Sequence, residues 1–362
     1  MQRSHKIRLD PNDVQVTYFA KACGCVRLAY NVGLSRWKEL YAEGDKPTGR
    51  MVKAWFNSIK LEKFPFVYEV TKCATERAFD DLNGAFQRFF KGKAGYPKFK
   101  KKGQKDSFYI DNTKFRVEGR HIVVPKLGRV RMTESLRFAG KIISAVISHQ
   151  AGYWFVSINV EISDKPKVEN QDRKFVGIDM GIEKLATTSD GWYYDNIRTT
   201  NRFAARLRRL NKSLARKVKG SANWKKAKLA LSKLHYRIGC IRKDYLHKVT
   251  TEIARDYTDV CLEDLNTSGM LKNAKLAKHI SDASWYEFRR QLGYKSTVYL
   301  CGRFEPSSKT CSSCGRRLEL TLADRWVSCE CGLEIDRDVN AAINILRWAS
   351  PEVKSVETAA LV

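Results

Sequence analysis

Three acidic residues that lie far apart in the sequence occupy places where polar chemistry is often done. Asp179 ends the apolar segment FVGID, Glu263 ends the apolar segment VCLE, and Asp338 lies at the start of a helical segment, beside the turn DRD. Each acid alone could equally close a turn or complement a helix dipole. As a set, they offer oxygen ligands for two hard cations about 4 Å apart, the arrangement that cleaves phosphodiester bonds. A histidine mechanism is disfavoured, because the six histidines show no H-x-x-x-H or H-E-x-x-H spacing.

Four of the ten cysteines form a cluster near the C-terminus. The pairs Cys311-x2-Cys314 and Cys329-x-Cys331 are separated by 14 residues, a pattern typical of tetrahedral zinc. Four thiolates fill the coordination shell, so this zinc would be structural and not catalytic; a metal-free knuckle is the alternative. The remaining six cysteines lie among apolar neighbours and are expected to be small buried side chains: Cys23, Cys25, Cys73, Cys240, Cys261 and Cys301.

The charge balance indicates a polyanionic partner. The chain has 67 Lys plus Arg against 39 Asp plus Glu, a net charge of +28. Nucleic acid is the commonest partner of such a protein, and an anionic membrane surface is the alternative. There is no run of 18 apolar residues and no apolar stretch typical of a secretory signal at the N-terminus, so we expect a cytosolic protein.

Two segments concentrate the positive charge. Residues 91–105 contain seven lysines and no acid, and residues 201–250 contain 16 Lys or Arg with Asp244 as the one acid. Charged helices are usually only solvated faces, but this uniform sign favours phosphate contact. The candidate contacts are Lys98, Lys100, Lys101, Lys102, Arg206, Arg209, Lys225 and Lys226. The interleaved aromatic residues could stack on bases, although each could equally be a packing residue: Tyr96, Phe99, Trp224 and Tyr236.

Hydrophobic spacing predicts the elements that must position these residues. Residues 12–45 and 66–91 have helical spacing. The segment 91–105, which follows these predicted helices, is predicted to be a basic loop. From 107 to 165, short alternating runs predict a small β-barrel or curved sheet, which includes two strands joined by HQAGY. The N-terminal HKIRL adds a strand to it. Residues 163–174 are polar and read as a linker.

The C-terminal half alternates strands and helices. FVGIDMGI and LATTSDGWYYD predict a strand, a turn and a second strand; 201–250 is helical, and DVCLEDL is another apolar strand. The segment ISDASWYEFRRQLGYKSTVYL is predicted to be helical. DRDVNAAINILRWA, after the cysteine cluster, is a further helix, and the last dozen residues are expected to be a loose tail.

Several of these motifs resemble one known family. The strings GIDMGIEKLATTSDG, CLEDLN, CSSCG and CECGLEIDRDVNAAINI look like the transposon-encoded TnpB proteins, the OrfB-like transposases that are smaller relatives of type V CRISPR effectors. The resemblance extends over nearly the whole chain, and D-R-D-x-N-A-A-x-N-I is its most specific motif. By this resemblance, the catalytic acid of that motif is Asp338, with Asp336 as a neighbour, and Asp179 and Glu263 are the first and second acids.

The resemblance implies an α/β multidomain fold. Residues 170–306 and 336–350 would form an RNase H-like (RuvC) nuclease domain, interrupted at 307–335 by a zinc knuckle that binds target nucleic acid. Residues 11–106 would form a helical recognition domain, and 1–10 with 107–165 a β-barrel wedge domain. The segment 351–362 would be a flexible tail.

The resemblance also implies an activity and partners. The chain would be a monomeric RNA-guided DNA endonuclease in a prokaryotic cytoplasm, associated with the nucleoid through its target, with a transposon-encoded guide RNA, two Mg²⁺ ions and structural Zn²⁺. Sequence choice would belong to base pairing, and the protein would read a short motif beside the target. The residues that align with the reading segments are Lys72, Glu76, Asp111 and Asn112. The alternatives are a nuclease-inactive guided DNA-binding regulator, which retention of all three acids argues against, and a guide-free transposase that joins DNA ends.

Overall fold

The computed structural model describes residues 2–163, 173–321 and 323–350. The chain divides into two compact units, Met1–Lys165 (unit 1) and Pro166–Val362 (unit 2). Most of the predicted linker at 163–174 and all of the predicted tail at 351–362 lie outside the described residues. Within the described ranges, no helix is both long enough and apolar enough to span a membrane.

Three helices of unit 1 bury their apolar stripes against one another. They are α1 (Asp13–Ala42), α2 (Gly49–Lys63) and α3 (Cys73–Phe90). A capping box of Asn12 and Gln15 begins α1. The rings of Trp37 on α1 and Phe86 on α3 stack with centroids 4.2 Å apart. The helix predicted over 12–45 is therefore confirmed.

The prediction over 66–91 is correct for α3 but wrong for its first turns. Pro65 begins a 3-10 turn that covers Pro65–Glu69, and α3 starts only at Cys73. The apolar spacing extended the predicted helix too far towards the N-terminus, because Val67 and Val70 are buried in the same core without belonging to the helix. The basic segment 91–105 forms no regular element, as predicted.

The strands of unit 1 form one antiparallel sheet. In the described part of the chain its order is β2-β6-β7-β1-β5-β4-β3. The strands are β1 (Gln2–Asp10), β2 (Ser107–Asp111), β3 (Arg116–Glu118), β4 (His121–Val124), β5 (Gly128–Met132), β6 (Lys141–Gln150) and β7 (Tyr153–Glu161). The N-terminal strand and the hairpin at HQAGY are confirmed. Ala151 and Gly152, with φ of 52° and 81°, make the tight turn between β6 and β7.

The strands of unit 2 form a mixed sheet in the order β10-β9-β8-β11-β12. They are β8 (Phe175–Asp179), β9 (Lys184–Thr188), β10 (Tyr193–Asp195), β11 (Asp259–Glu263) and β12 (Thr297–Cys301). Strand β11 pairs in parallel with both β8 and β12, whereas β9 runs antiparallel to β8. The second predicted strand, LATTSDGWYYD, is a hairpin of β9 and β10. A two-stranded hairpin, β13 (Trp326–Ser328) and β14 (Glu334–Asp336), follows the first cysteine pair.

The helices of unit 2 include those of the basic segment 201–250. They are α4 (Thr199–Arg202), α5 (Ala204–Ala215), α6 (Ala222–Asp256), α7 (Thr267–Met270), α8 (Ala277–Ala283), α9 (Trp285–Leu292) and α10 (Arg337–Ala349). The helical prediction for 201–250 is confirmed, with a break before Ser221, which caps α6.

Two expectations for unit 2 are wrong. The segment 280–300 was predicted to be helical throughout, but its end forms β12, because the β-branched and aromatic residues of TVYL pair with the buried strand β11. Cys240 was expected to be buried but is exposed. It lies on α6 two residues after the buried Ile238, which places the two side chains on opposite faces of the helix. The other five isolated cysteines are buried, as expected.

Candidate active site

Two of the three predicted acids lie side by side at one edge of the sheet of unit 2. Strands β8 and β11 are parallel, and Leu262 pairs with Ile178. The next residue on each strand is an acid, Glu263 and Asp179, so both carboxylates leave the carboxyl ends of adjacent strands. Both residues are half-buried. This is the edge at which ligands meet open α/β sheets.

Helix α10 brings the third acid to the same edge. A Cβ atom on Gly177 of β8 would lie 2.0 Å from the carbonyl oxygen of Ala342, so the helix backbone touches the strand where only glycine fits. Asp338 precedes Ala342 by one helical turn, roughly 6 Å. Asp179 follows Gly177 by two strand residues, roughly 7 Å. The contact between Gly177 and Ala342 therefore fixes where Asp338 lies along the direction of β8 relative to Asp179.

The charges of the three acids act on one another. Burial raises the pKa of Asp179 to about 8, and the negative charges of Glu263 and Asp338 add to the increase. Asp336 raises this pKa further, while Arg337 opposes it. Burial beside two other carboxylates therefore favours the protonated form of the Asp179 carboxyl group in the metal-free site. Hard oxygen donors and unbalanced negative charge fit a divalent cation such as Mg²⁺.

The two aspartates of the DRD turn have different surroundings. Asp336 caps α10: its Oδ1 accepts hydrogen bonds from the backbone N–H groups of Asp338 (2.8 Å) and Val339 (3.2 Å). Its Oδ2 accepts from Lys184 Nζ at 3.2 Å. Asp338 has longer ion pairs, 3.9 Å to Lys184 and 3.9 Å to Arg337. Both oxygens of Asp336 therefore hold structural partners, whereas the carboxylate of Asp338 is held less closely.

Sequence reasoning did not identify the residues that hold this site in place. The buried Ser307 donates a hydrogen bond from Oγ to Glu263 Oε1 at 2.6 Å. Asn340 and Asn344 are buried on α10 and bond to the backbone of the segment that leads into the cysteine cluster. The available signal was the pair of asparagines four residues apart within an otherwise apolar helix face.

The four clustered cysteines meet in unit 2, as their spacing predicted. The sulfurs of Cys311, Cys314, Cys329 and Cys331 all lie within 4.8 Å of one another. The Sγ atoms of Cys311 and Cys331 are 3.6 Å apart, as are those of Cys314 and Cys329. A tetrahedral zinc with Zn–S bonds of about 2.3 Å requires sulfurs about 3.8 Å apart. The quartet therefore fits zinc.

The predicted phosphate contacts differ in how available they are. Seven of them are exposed: Lys98, Lys101, Lys102, Arg206, Arg209, Lys225 and Lys226. Lys100 is not, because its ammonium lies 4.2 Å from the centre of the Tyr30 ring and 3.8 Å from Asp81. Asn31 also holds its backbone on both sides. We therefore infer that Lys100 packs the basic loop 91–105 against helices α1 and α3 of unit 1.

Three of the four predicted motif-reading residues line one cavity of unit 1. Lys72, Glu76 and Asp111 surround a space of about 410 Å³ together with Arg77 and other polar residues. Asp111 accepts hydrogen bonds from Thr113, which lower the pKa of its carboxyl group. Asn112 follows Asp111, and its side-chain Nδ2 donates to the Ile142 carbonyl at 3.2 Å. The cavity offers donors and acceptors within a few ångströms of one another.

Three family models match parts of the chain. Residues 157–274 match the OrfB model of IS605 elements, described as a probable transposase. Residues 285–345 match a Cas12f1-like TNB domain, and residues 1–46 match a helix-turn-helix domain. In this structure the last of these segments is β1 followed by one continuous helix to Ala42.

Relatives match almost the full length. A protein of Streptomyces pristinaespiralis whose name describes an RNA-guided DNA endonuclease is 36% identical over 359 residues, which cover 96% of this chain and 89% of the relative. A similarly named protein, InsQ of Escherichia coli strain K12, is 33% identical over 372 residues, with 95% and 91% covered. The TnpB-like protein L79 of Acanthamoeba polyphaga mimivirus is 29% identical over 201 residues, with 49% and 38% covered. These nearly full-length matches, together with the match to the OrfB model, show that this chain belongs to the TnpB family.

Proposed function

We propose that this protein is an RNA-guided DNA endonuclease that uses Asp179, Glu263 and Asp338 as ligands of two Mg²⁺ ions. The observation that carries the proposal is the convergence of the three acids, from three separate elements, at the carboxyl edge of one sheet. The names of the long relatives from Streptomyces and Escherichia coli support a guided mode of action. The net charge of +28 supports a partnership with RNA and DNA.

The residues of the chain have defined tasks in this proposal. The paired strands β8 and β11 hold Asp179 and Glu263, and the Gly177 contact with α10 holds Asp338. Lys184 pairs with Asp336 and keeps that acid at its capping position. The cations, when bound, supply an activated water and neutralise charge on the leaving oxygen. The four cysteines hold zinc as a structural ion.

We assign the parts of the chain as follows. Residues 170–306 and 336–350 form the RNase H-like nuclease domain, and 307–335 form the zinc knuckle within it. Residues 11–106 are the recognition module, and 1–10 with 107–165 are the wedge. The cavity at Lys72, Glu76 and Asp111 is where the protein reads the motif beside its target, because its mixed donors and acceptors match base edges. Exposed basic residues of α5 and α6 contact phosphates without reading sequence. The complex contains one copy of the chain.

The first experiment is to sequence the RNA that copurifies with the protein. A structured RNA that ends in a variable segment is expected. That RNA is then reprogrammed against a plasmid library that carries random sequence beside the target, and cleavage in Mg²⁺ is measured. Absence of a defined RNA would reject the guided mode.

The second experiment tests the acids. Asp179→Ala should abolish cleavage while RNA and DNA binding persist. The matched control is Asp244→Ala, which removes an exposed acid of α6 that pairs with its helical neighbour Lys248 at 2.9 Å. Cleavage that survives in Asp179→Ala would reject the site assignment, and equal loss in both variants would indicate a general defect.

A further inference from the structure

The hydroxyl group of Ser307 touches one of the proposed metal ligands. Ser307 is 5% exposed and begins the 3-10 turn Ser307–Lys309, which follows β12 and precedes the first cysteine pair. Its Oγ donates to Glu263 Oε1 at 2.6 Å, which is a short hydrogen bond within the normal range for a hydroxyl donor. This contact joins the turn that enters the cysteine knuckle to the end of β11.

The position of Ser307 is itself fixed by α10. Asn344, which is 1% exposed, donates from Nδ2 to the carbonyl oxygens of Ser307 (2.8 Å) and Thr310 (2.7 Å). Asn340, one turn earlier and fully buried, donates to the same Thr310 carbonyl at 2.8 Å and accepts from the N–H of Ser312 at 2.8 Å. Helix α10 thus holds the segment from Ser307 to Ser312 by four hydrogen bonds, which reach three residues of that segment.

These contacts link two of the acids through one rigid helix. Asp338 lies in the first turn of α10, and Asn344, which holds Ser307, lies one and a half turns later on the same helix. A glutamate has three side-chain torsions, and its ordering normally costs conformational entropy when a metal binds. A buried hydroxyl donor that already holds one carboxylate oxygen removes much of this freedom and leaves the second oxygen for a cation.

We propose that Ser307 is a positioning residue: Asn344 holds its backbone carbonyl, and its hydroxyl fixes the Glu263 carboxylate for divalent-cation binding. The inference rests on the proposed function, because it takes Glu263 to be a metal ligand. Partners that orient a metal ligand typically change metal affinity by about 10-fold to 100-fold when they are removed. Ser307 belongs to that class and does not itself contact the reacting atoms.

The test compares three variants of the full-length chain with its guide RNA. Ser307→Ala removes the donor, Ser307→Thr keeps a hydroxyl group, and Ser308→Ala is the control at the adjacent serine. Cleavage of target DNA is measured over a range of Mg²⁺ concentrations. We expect Ser307→Ala to raise the half-saturating Mg²⁺ concentration about 10-fold, with the KM for DNA unchanged and most of kcat recovered at saturating Mg²⁺. Ser307→Thr should restore most of the Mg²⁺ affinity.

A second readout does not depend on cleavage. Binding of Mn²⁺ to the full-length chain without RNA is followed by electron paramagnetic resonance. Ser307→Ala should weaken the tightest binding by a similar factor, and Ser308→Ala should leave it unchanged. Thermal melting of each variant checks folding; if Ser307→Ala melts early, Ser307→Thr against Ser308→Ala becomes the deciding comparison.

The outcomes separate this inference from the proposed function. If the natural protein cleaves DNA and Ser307→Ala has the same Mg²⁺ and Mn²⁺ dependence, the positioning role is wrong and the nuclease stands. If the natural protein does not cleave but Ser307→Ala weakens Mn²⁺ binding, the positioning role stands and the nuclease proposal fails. A loss in kcat that Mg²⁺ does not relieve, with no rescue in Ser307→Thr, would indicate a purely structural serine.

Discussion

The two candidate metal sites of unit 2 are built in opposite ways. The cysteine site is local: two short pairs, joined by 14 residues, place four sulfurs within 4.8 Å of one another. The acid site is distributed: Asp179, Glu263 and Asp338 come from two strands and one helix and meet only through the sheet register and the Gly177 contact. A soft, closed quartet suits a structural ion, whereas carboxylates at an open sheet edge leave room for water and substrate.

The same contrast appears in what surrounds the donors. The sulfurs already satisfy the separation that zinc requires. The negative charges of the acids oppose one another, and burial together with the other two carboxylates raises the pKa of Asp179 to about 8. The cysteine site should therefore contribute to folding, and the acid site should be costly for folding until a cation binds. Four expected outcomes test this difference, in order of decreasing effect.

The largest effect is expected within the DRD turn. Asp338→Asn removes a metal ligand and should lower the cleavage rate on the order of 1000-fold, because a lost cation contact costs several kcal/mol in the transition state. Asp336→Asn should lower the rate far less, since asparagine also caps helices well. Single-turnover cleavage at saturating Mg²⁺ measures both. Equal losses would show that the sequence motif had been assigned wrongly between its two acids.

Removal of zinc should destabilise unit 2. An ion present at 1000 times its dissociation constant stabilises the folded state by about 4 kcal/mol, so Cys331→Ser should lower the melting temperature of unit 2 by about 10 °C. Zinc content by mass spectrometry should fall from one ion per chain. The matched control is Cys240→Ser, at the exposed cysteine of α6, which should change neither quantity. Unchanged zinc content in Cys331→Ser would refute the quartet as its site.

The distributed site should be sensitive to one backbone contact. Gly177→Ala places a methyl group 2.0 Å from the Ala342 carbonyl oxygen and should cost about 3 kcal/mol of folding free energy, with loss of Mg²⁺ affinity. Gly239→Ala is the control, because a Cβ atom on this glycine of α6 meets nothing within 4 Å. That change should be neutral or stabilise by up to about 1 kcal/mol. Urea unfolding measures both variants, and a harmless Gly177→Ala would place α10 farther from β8.

Because of the acid site, the free energy of unfolding of the metal-free protein should fall as the pH rises. The pKa of Asp179 is higher in the folded chain, about 8, than in the unfolded chain, so folding favours its protonated form. The associated stability is complete below pH 4 and is lost progressively as the pH rises through 8. Melting of the metal-free chain should fall by roughly 2 to 4 °C for each kcal/mol lost between pH 5 and 8.5. Asp179→Asn, or added Mg²⁺, should remove this dependence on pH. A metal-free chain whose melting temperature shows the same pH dependence as that of Asp179→Asn would contradict this explanation.

The sequence by itself was sufficient for features set by local spacing. Helices such as α1 and α10, the hairpin at HQAGY and the cysteine quartet follow from periodicity, turn residues and short loops. The three acids were identifiable because two end apolar strands and one begins an apolar helix. The choice of Asp338 over Asp336 came from the family motif, and the structure supplies a physical reason, since Asp336 is engaged as the cap of α10.

Only the tertiary structure decided the features that depend on distant partners. The segment TVYL becomes a strand because β11 offers it hydrogen bonds, and Cys240 is exposed because the buried face of α6 lies opposite. Lys100 packs on Tyr30, so its positive charge is not equivalent to that of its neighbours. Above all, no spacing rule connects Ser307 with Glu263, 44 residues away. Periodicity reports which side of an element is buried, whereas the partner it meets is set by strand register and by close backbone approach.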